Sequence, residues 1–445
     1  MAEATSAPAV RPGPQRQSVA QPAGPRLLAA ARTLIGPSAV ILAGTSSARL
    51  LGLLFSVAAA RLLVPAEFGL LTYALTIVTF SSILIQNAPS GLGRYLSRHR
   101  DSVADQELYF SNWLAVVAAM LGLSLLLAVP IALAAGLSGW MLIGLLVNLV
   151  GVAIYATYYA TQTGLQRFRH MTAFYVLANS LQLVATVAAG LAGLRSAALY
   201  FLIFGIANVP AVLLVQRFRP LGLRFRPELF RLGLLRVIAH FTWPQVVQTA
   251  AFTVWAGSDL VLVLHMLPRE LSGGYAAART LMVALGLAPG AICAVLTPRV
   301  AAMSAGEVRR LLAAALLMIG AIVVPGVLLT VFFGRGTVTL IFGARYLAAA
   351  QVLPVLAVGS GLYCFYLAFE KTVIGLGRPK VDALATGCAA VTTVVCGLLL
   401  IPRLGLVGAA LGYAAGAAVK LAVIAYYTAR LLSPRRALGE VGSTL

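Results

Sequence analysis

Apolar positions along the chain come in runs of about 20 residues, parted by short stretches where Arg, Pro, Gly and Glu collect. A helix of about that length crosses roughly 30 Å of hydrocarbon. Twelve runs can be drawn, at 37–62, 68–91, 108–134, 139–163, 172–193, 197–215, 238–264, 274–297, 311–333, 348–370, 382–402 and 406–428. In lipid each must be helical, because an open strand would leave backbone N–H and C=O groups without partners. The alternating pattern of an outer-membrane barrel is absent. The pattern therefore predicts an all-α polytopic membrane protein with 12 transmembrane helices. Composition agrees: 60% of residues are hydrophobic and 10% charged, against about 25% charged in a soluble domain.

The runs repeat. Residues 62–69 read LLVPAEFG and residues 266–274 read MLPRELSGG, each with Pro-x-Glu, an apolar residue and a following glycine. GLQRFR from Gly164 pairs with GLGRPK from Gly375, and Ala197-Ala198-Leu199 with Ala409-Ala410-Leu411. The offsets are 203, 211 and 212, and the matches keep one order. Such self-similarity predicts two copies of one six-helix unit. Six is even, so the copies are parallel repeats, whose interface is where transporters place a substrate site. The expected organisation is a disordered, uncleaved cytoplasmic tail (1–32), a first bundle (33–215), a basic cytoplasmic linker (216–236), a second bundle (237–430) and a cytoplasmic tail (431–445). The repeated Pro-x-Glu-Gly piece is expected to be a tight turn, with Pro fixing the backbone and Gly taking positive φ.

Charge then orients the chain. With the N-terminus inside, the tails and alternate loops hold about 24 of the 33 Lys and Arg; the opposite loops hold six, namely Arg61, Arg195, Arg269, Arg335, Arg345 and Arg403. By the positive-inside rule both termini are cytoplasmic. A net charge of +21 thus reads as orientation and contact with anionic lipid rather than nucleic-acid binding, since no binding motif or aromatic platform accompanies it.

Polar residues inside the runs are the candidates for function. Arg49 sits near the middle of the first run, where insertion costs about 2.5–3.5 kcal/mol unless protein or water receives it. Asp259, Arg279 and Lys420 also lie within runs, with snorkelling toward an interface as the alternative. Gln245, Gln248, Trp255 and Asp259 share one face of the seventh helix, and Tyr175, Asn179, Gln182 and Thr186 one face of the fifth. Such stripes either line a wet cavity or glue helices together. The four cysteines, Cys293, Cys364, Cys388 and Cys396, lie in apolar runs without metal-ligand spacing, and zinc, phosphate-loop and nucleophile-elbow motifs are missing. Neither enzymatic activity nor a cofactor or metal is expected.

The segment SSARLLGLLFSVAAARLLVPAEFGLLTYALTIV, followed by GLGRYLSRHR, resembles the opening of bacterial polysaccharide (O-antigen type) flippases. That superfamily also holds multidrug and toxin extruders and lipid II flippases. Arg49, the turn from Arg61 to Gly69, Arg94, Asp259, GGYAAARTL from Gly273 and FGARYLAAAQVLPVL from Phe342 carry the likeness. It implies a V-shaped pair of bundles that moves a polyprenyl-diphosphate-linked oligosaccharide from the inner to the outer leaflet of the bacterial cytoplasmic membrane by alternating access, for cell-surface polysaccharide assembly. The implied partners are that lipid-linked substrate, membrane lipids and polysaccharide polymerase machinery, around a monomer. Arg49 would hold the pyrophosphate or an acidic sugar by charge-assisted hydrogen bonds. Arg279, Lys420, Gln245, Gln248 and Asn179 are the further substrate candidates, and Asp259 the ion-coupling candidate. The rivals are an ion-coupled drug or toxin exporter of the same superfamily, which would favour acidic and aromatic groups, and a membrane-embedded glycan polymerase or ligase, which needs a large outer loop. Twelve rather than fourteen helices points away from the lipid II branch.

Overall fold

The computed structural model describes residues 44–432 except 90, 100, 101, 138, 219, 295, 301 and 302, with the side chains of 94, 239, 241 and 298 also outside the description. The tail expected at 1–32 and residues 433–445 of the second tail therefore lie outside the described residues. The described chain forms twelve helical legs: α1 (described over 44–62), α2 (Pro65–Ser81, Ile83–Asn87 and Leu92–Arg98), α3 (Val103–Ala134), α4 (Trp140–Gly164), α5 (Phe168–Leu191), α6 (Ala197–Ile206 and Asn208–Phe218), α7 (Leu232–Met266), α8 (Arg269–Ala294 and Leu296–Val300), α9 (Ala305–Ile341), α10 (Ala348–Gly375), α11 (Pro379–Leu404) and α12 (Leu406–Leu431). Ten of these, among the described residues, are long and apolar enough to cross a membrane. The exceptions are α1, described in part, and α2, broken into pieces. The protein is a multi-pass membrane protein of two parallel six-helix bundles paired as a V.

The ends of several helices differ from the apolar runs, and for one reason. A hydropathy pattern sees only the stretch inside hydrocarbon, whereas α7 and α9 continue for 35 and 37 residues. At 1.5 Å per residue α9 is about 55 Å long. Its start is set by a capping box, in which the Glu307 side chain accepts from the Ser304 backbone.

Breaks in helices are stabilised by borrowed hydrogen bonds. Pro210 cannot donate to Ile206, where the first piece of α6 ends. Carbonyls just before that break accept from Gln182 (to Phe204, 2.9 Å) and Asn208 (to Gly205, 3.2 Å). At the break in α2, the Trp113 indole donates to Ala88 at 2.8 Å. In lipid no water could satisfy these carbonyls.

Alternate connections collect at two ends, here named the hairpin end, with the 1–2, 7–8 and 9–10 turns, and the linker end. At the linker end residues 220–231 do not hang free. Glu107 pairs with Arg226 at 2.8 Å, and Asn112 accepts from the Arg231 backbone at 2.8 Å while donating to Leu229 at 2.9 Å. The basic linker is zipped onto α3, with Arg224, Arg226 and Arg231 exposed.

The hairpin end explains the repeated motif and corrects one expectation. Neither Gly69 nor Gly273 takes positive φ; both lie inside helices. Pro65 and Pro268 stand at the starts of α2 and α8, where a missing N–H costs nothing. Glu67 caps a neighbour: its Oε2 accepts from the Ala197 backbone, at the first turn of α6, at 2.8 Å. The glycines let α2 and α8 cross. A Cβ on Gly69 would fall 3.0 Å from the Arg269 carbonyl oxygen, and one on Gly273 1.9 Å from that of Pro65. Each half supplies one helix to a contact that only glycine permits.

More of the hairpin end closes the same seam. Arg61 donates to the carbonyls of Ile341 (2.6 Å) and Leu340, Arg345 donates to the carbonyl of Arg61, and Tyr346 to that of Leu63 at 3.4 Å. Within the second half, α12 lies along α11 through Gly408, Gly412 and Gly416, a small-residue row of the kind that lets membrane helices touch.

Candidate functional site

Between the halves, on the linker-end side of this seam, lies a cavity of about 920 Å³. Arg49 of α1 and Thr72 and Thr76 of α2 form one wall; α7, α8, α10, α11 and α12 form the rest. Arg49 is exposed on that wall, and its Nη1 reaches to within 3.4 Å of where a Cβ on Gly290 would stand, so the guanidinium spans toward α8. Among the described residues the ion pairs are Arg226–Glu107, Arg279–Asp259 and Lys371–Glu370. Arg49 takes part in none of them.

The other candidates separate into groups. Asp259, 1% exposed, pairs with Arg279 Nε at 3.2 Å and accepts from the Tyr275 hydroxyl at 2.7 Å. Arg279 also donates to the Ala256 carbonyl at 2.6 Å and lies 4.1 Å over the Tyr413 ring. Arg279 lines the cavity; Asp259 stands behind it. Neither snorkels. Desolvation is offset here by pairing, the condition under which a buried ion pair persists.

Lys420 is 0% exposed and is enclosed by four aromatic side chains. Its Nζ lies 4.1 Å from the Trp255 ring centre, 4.2 Å from Tyr366, 4.9 Å from Phe252 and 5.5 Å from Tyr363. Among the described residues no hydrogen-bond acceptor reaches it. Ring quadrupoles supply the electrostatic stabilisation that water or a carboxylate would otherwise give. Those rings line the cavity, so Lys420 is screened from it by its own aromatic cage.

Gln248 lines the cavity and donates to Asp382 at 2.6 Å, while the Tyr366 hydroxyl donates to the other carboxylate oxygen. Gln245 is half-buried on α7 and does not join that wall. Asn179 bonds back to the Tyr175 carbonyl at 2.8 Å and faces Gly52 of α1, within the first half. The stripe on α5 thus mixes helix contacts (Asn179, Gln182) with Tyr175, which lines a second pocket. The side chain of Arg94 lies outside the described residues.

Residues that single-position reasoning missed include Asp382, Tyr363, Tyr366 and Tyr413. Asp382 opens an apolar run and reads as a boundary residue; the structure makes it 3% exposed. The i, i+3 pair Tyr363–Tyr366 was a legible signal, because that spacing puts both rings on one helix face.

Likeness to known proteins bears on this geometry. The family model described as polysaccharide biosynthesis protein matches residues 58–351. The chain belongs to the polysaccharide biosynthesis protein family. The matched stretch runs from before Arg61 to beyond Tyr346 and so contains the whole hairpin-end seam of this family member. Its fold is shared with a multidrug resistance MATE family transporter of the MOP superfamily in an inward-facing conformation (TM-score 0.70, 15% identity, 89% of this chain and 96% of the other). It is shared also with the lipid II flippase MurJ in an inward closed conformation (TM-score 0.69, 14% identity, 87% of each chain), and with a mutant of the Vibrio cholerae MATE transporter VcmN (TM-score 0.59, 15% identity, 91% and 97%). An uncharacterized membrane protein of Methanocaldococcus jannaschii is 29% identical over 90 residues, which is 20% of this chain and 18% of that protein.

Proposed function

We propose that this family member is a flippase for a polyprenyl-diphosphate-linked oligosaccharide, carried from the inner to the outer leaflet of the bacterial cytoplasmic membrane. Both termini are cytoplasmic in this reading, which makes the hairpin end the outer side and opens the cavity toward the cytoplasm. The observation that carries the proposal is Arg49, a cation on the cavity wall with no acidic partner among the described residues. A guanidinium at that depth is tolerated where it faces a cavity, and without an acidic side chain to hold it a diphosphate can take two parallel N–H···O bonds from it. Arg279 at the cavity wall would take part through the N–H groups that Asp259 and Ala256 leave open, and Gln248 through its amide. Lys420 contributes positive potential from behind its cage rather than direct contact.

Energy is supplied in part by the membrane itself. Moving about two negative charges out of a cell 100 mV negative inside releases roughly 4–5 kcal/mol if the full potential is crossed.

The rival substrate is a cationic drug, and aromatic rings with two buried carboxylates give that reading some ground. Those groups are already engaged. Lys420 occupies the faces of Trp255 and Tyr366, Arg279 that of Tyr413, Asp259 is paired, and Asp382 accepts from Tyr366 and Gln248. A cationic guest would meet rings whose quadrupoles the protein's own cations have used.

The deciding experiment is reconstitution in liposomes with two cargoes. Translocation of a fluorescent polyprenyl-diphosphate saccharide and no uptake of an ethidium-type cation is the expected result. The reverse pattern would replace the flippase reading by that of an exporter.

A further inference from the structure

A second pocket, of about 550 Å³, opens in the first half among α2, α4 and α5. Tyr155 and Tyr159, one turn apart on α4, stand with Tyr175 of α5 along its wall. The Tyr155 and Tyr175 rings are stacked at 4.6 Å and 22°, and Tyr159 and Tyr175 at 5.8 Å and 15°. Tyr175 is 6% exposed and holds the pair together; Tyr155 and Tyr159 keep 36% and 42% of their surface open.

Several large aromatic side chains of the described core are packed shut by comparison. Trp255, Tyr200 and Tyr275 are each at most 1% exposed. Tyr155 lies nine residues from the linker end of α4, about 14 Å along the axis and so within hydrocarbon depth. Half-open tyrosines at that depth, lining a pocket, present flat apolar faces edged by hydroxyls. Gln86 and Thr163 add an amide and a hydroxyl to the rim. Apolar aromatic walls with a few fixed polar groups are the make-up of a small-molecule site.

Resting on the flippase reading above, we propose that Tyr155, Tyr159 and Tyr175 form a sugar-stacking subsite for the first residues of the glycan, a neutral pyranose laid with its C–H face on the rings. Its place fits that occupant. Gly52, three residues after Arg49 on α1, faces Asn179, one turn after Tyr175 on α5, so a diphosphate held by Arg49 would set the attached sugars toward the helix that carries the stacked rings. A pyranose offers one apolar face to the open rings and a hydroxyl edge to the polar rim, where the Gln86 amide donates to Ser82 at 2.6 Å and the Thr163 hydroxyl to the Tyr159 carbonyl at 2.8 Å, leaving their oxygens to accept.

The full-length protein in nanodiscs tests this with two probes: polyprenyl diphosphate, and the same lipid bearing one N-acetylhexosamine. The wild type should bind the sugar-bearing lipid about tenfold more tightly than the bare one. Tyr155→Leu with Tyr159→Leu should erase that difference and leave affinity for the bare lipid unchanged; Tyr155→Phe with Tyr159→Phe should retain it, because stacking survives loss of the hydroxyl. If the leucine pair fails to fold, Tyr159→Leu alone, at the more exposed ring, carries the same test. Equal wild-type affinity for both lipids, or equal weakening of both by the leucine change, would overturn the subsite and leave the flippase reading standing. Failure of the wild type to bind either lipid would overturn that reading and the subsite with it.

Discussion

Gly273→Val should open the hairpin end. A Cβ there would stand 1.9 Å from the Pro65 carbonyl oxygen, which belongs to backbone and cannot swing away. Relieving such overpacking costs about 1–3 kcal/mol, enough to shift a two-state population by roughly 5- to 150-fold. The measurement is labelling of Thr280→Cys, on the cavity wall, by a membrane-impermeant maleimide added from the hairpin side, in a variant freed of Cys293, Cys364, Cys388 and Cys396. Wild-type seam residues should protect the new cysteine, and the valine should expose it. Gly69→Ala, whose Cβ would meet the Arg269 carbonyl oxygen at 3.0 Å, should act in the same direction and less strongly. Unchanged labelling in Gly273→Val would mean that the seam is not what closes this end.

Asp259→Ala should be the most destabilising change among the candidate residues. It strands Arg279, whose side chain is 20% exposed and whose Nε faces the removed carboxylate at 3.2 Å. Breaking one side of a buried pair costs on the order of 3–5 kcal/mol, with the Tyr413 ring and the Ala256 carbonyl retaining part of the interaction. Thermal unfolding in detergent should show a lower midpoint for Asp259→Ala, and Arg279→Leu added to it should restore much of the loss, because no unpaired charge then remains. A wild-type midpoint in Asp259→Ala would show that the pair is dispensable to the fold, and would leave the carboxylate available for the ion-coupling role that its position in the sequence suggested.

How much of this was legible beforehand follows from what a pattern can encode. Apolar runs gave the helices because hydrocarbon thickness sets their length; the break at Ala207 is written in the sequence as Pro210, whose missing N–H leaves Ile206 without its helical donor, whereas the break at Ser82 has no proline to mark it. The repeated Pro-x-Glu-Gly piece was visible, but its use was not. A turn and a helix crossing both call for glycine, and only the approach of Pro65 to Gly273 tells them apart. The same limit applies to the charges. Arg49, Arg279 and Lys420 look alike as cations in apolar runs, yet one faces the cavity without an acidic partner among the described residues, one is paired with Asp259 and one is caged by rings contributed from α7 and α10. Partners far along the chain decide the chemistry of most of them. Asp382, held by Tyr366 and Gln248, was hidden for that reason too.

The flippase account stands most directly on Arg49. In liposomes carrying a labelled polyprenyl-diphosphate saccharide, Arg49→Ala should slow leaflet translocation by about 100-fold, as expected when a charge-assisted contact worth roughly 3 kcal/mol is lost, while Arg49→Lys should retain an intermediate rate. Translocation by Arg49→Ala at the wild-type rate would contradict the account.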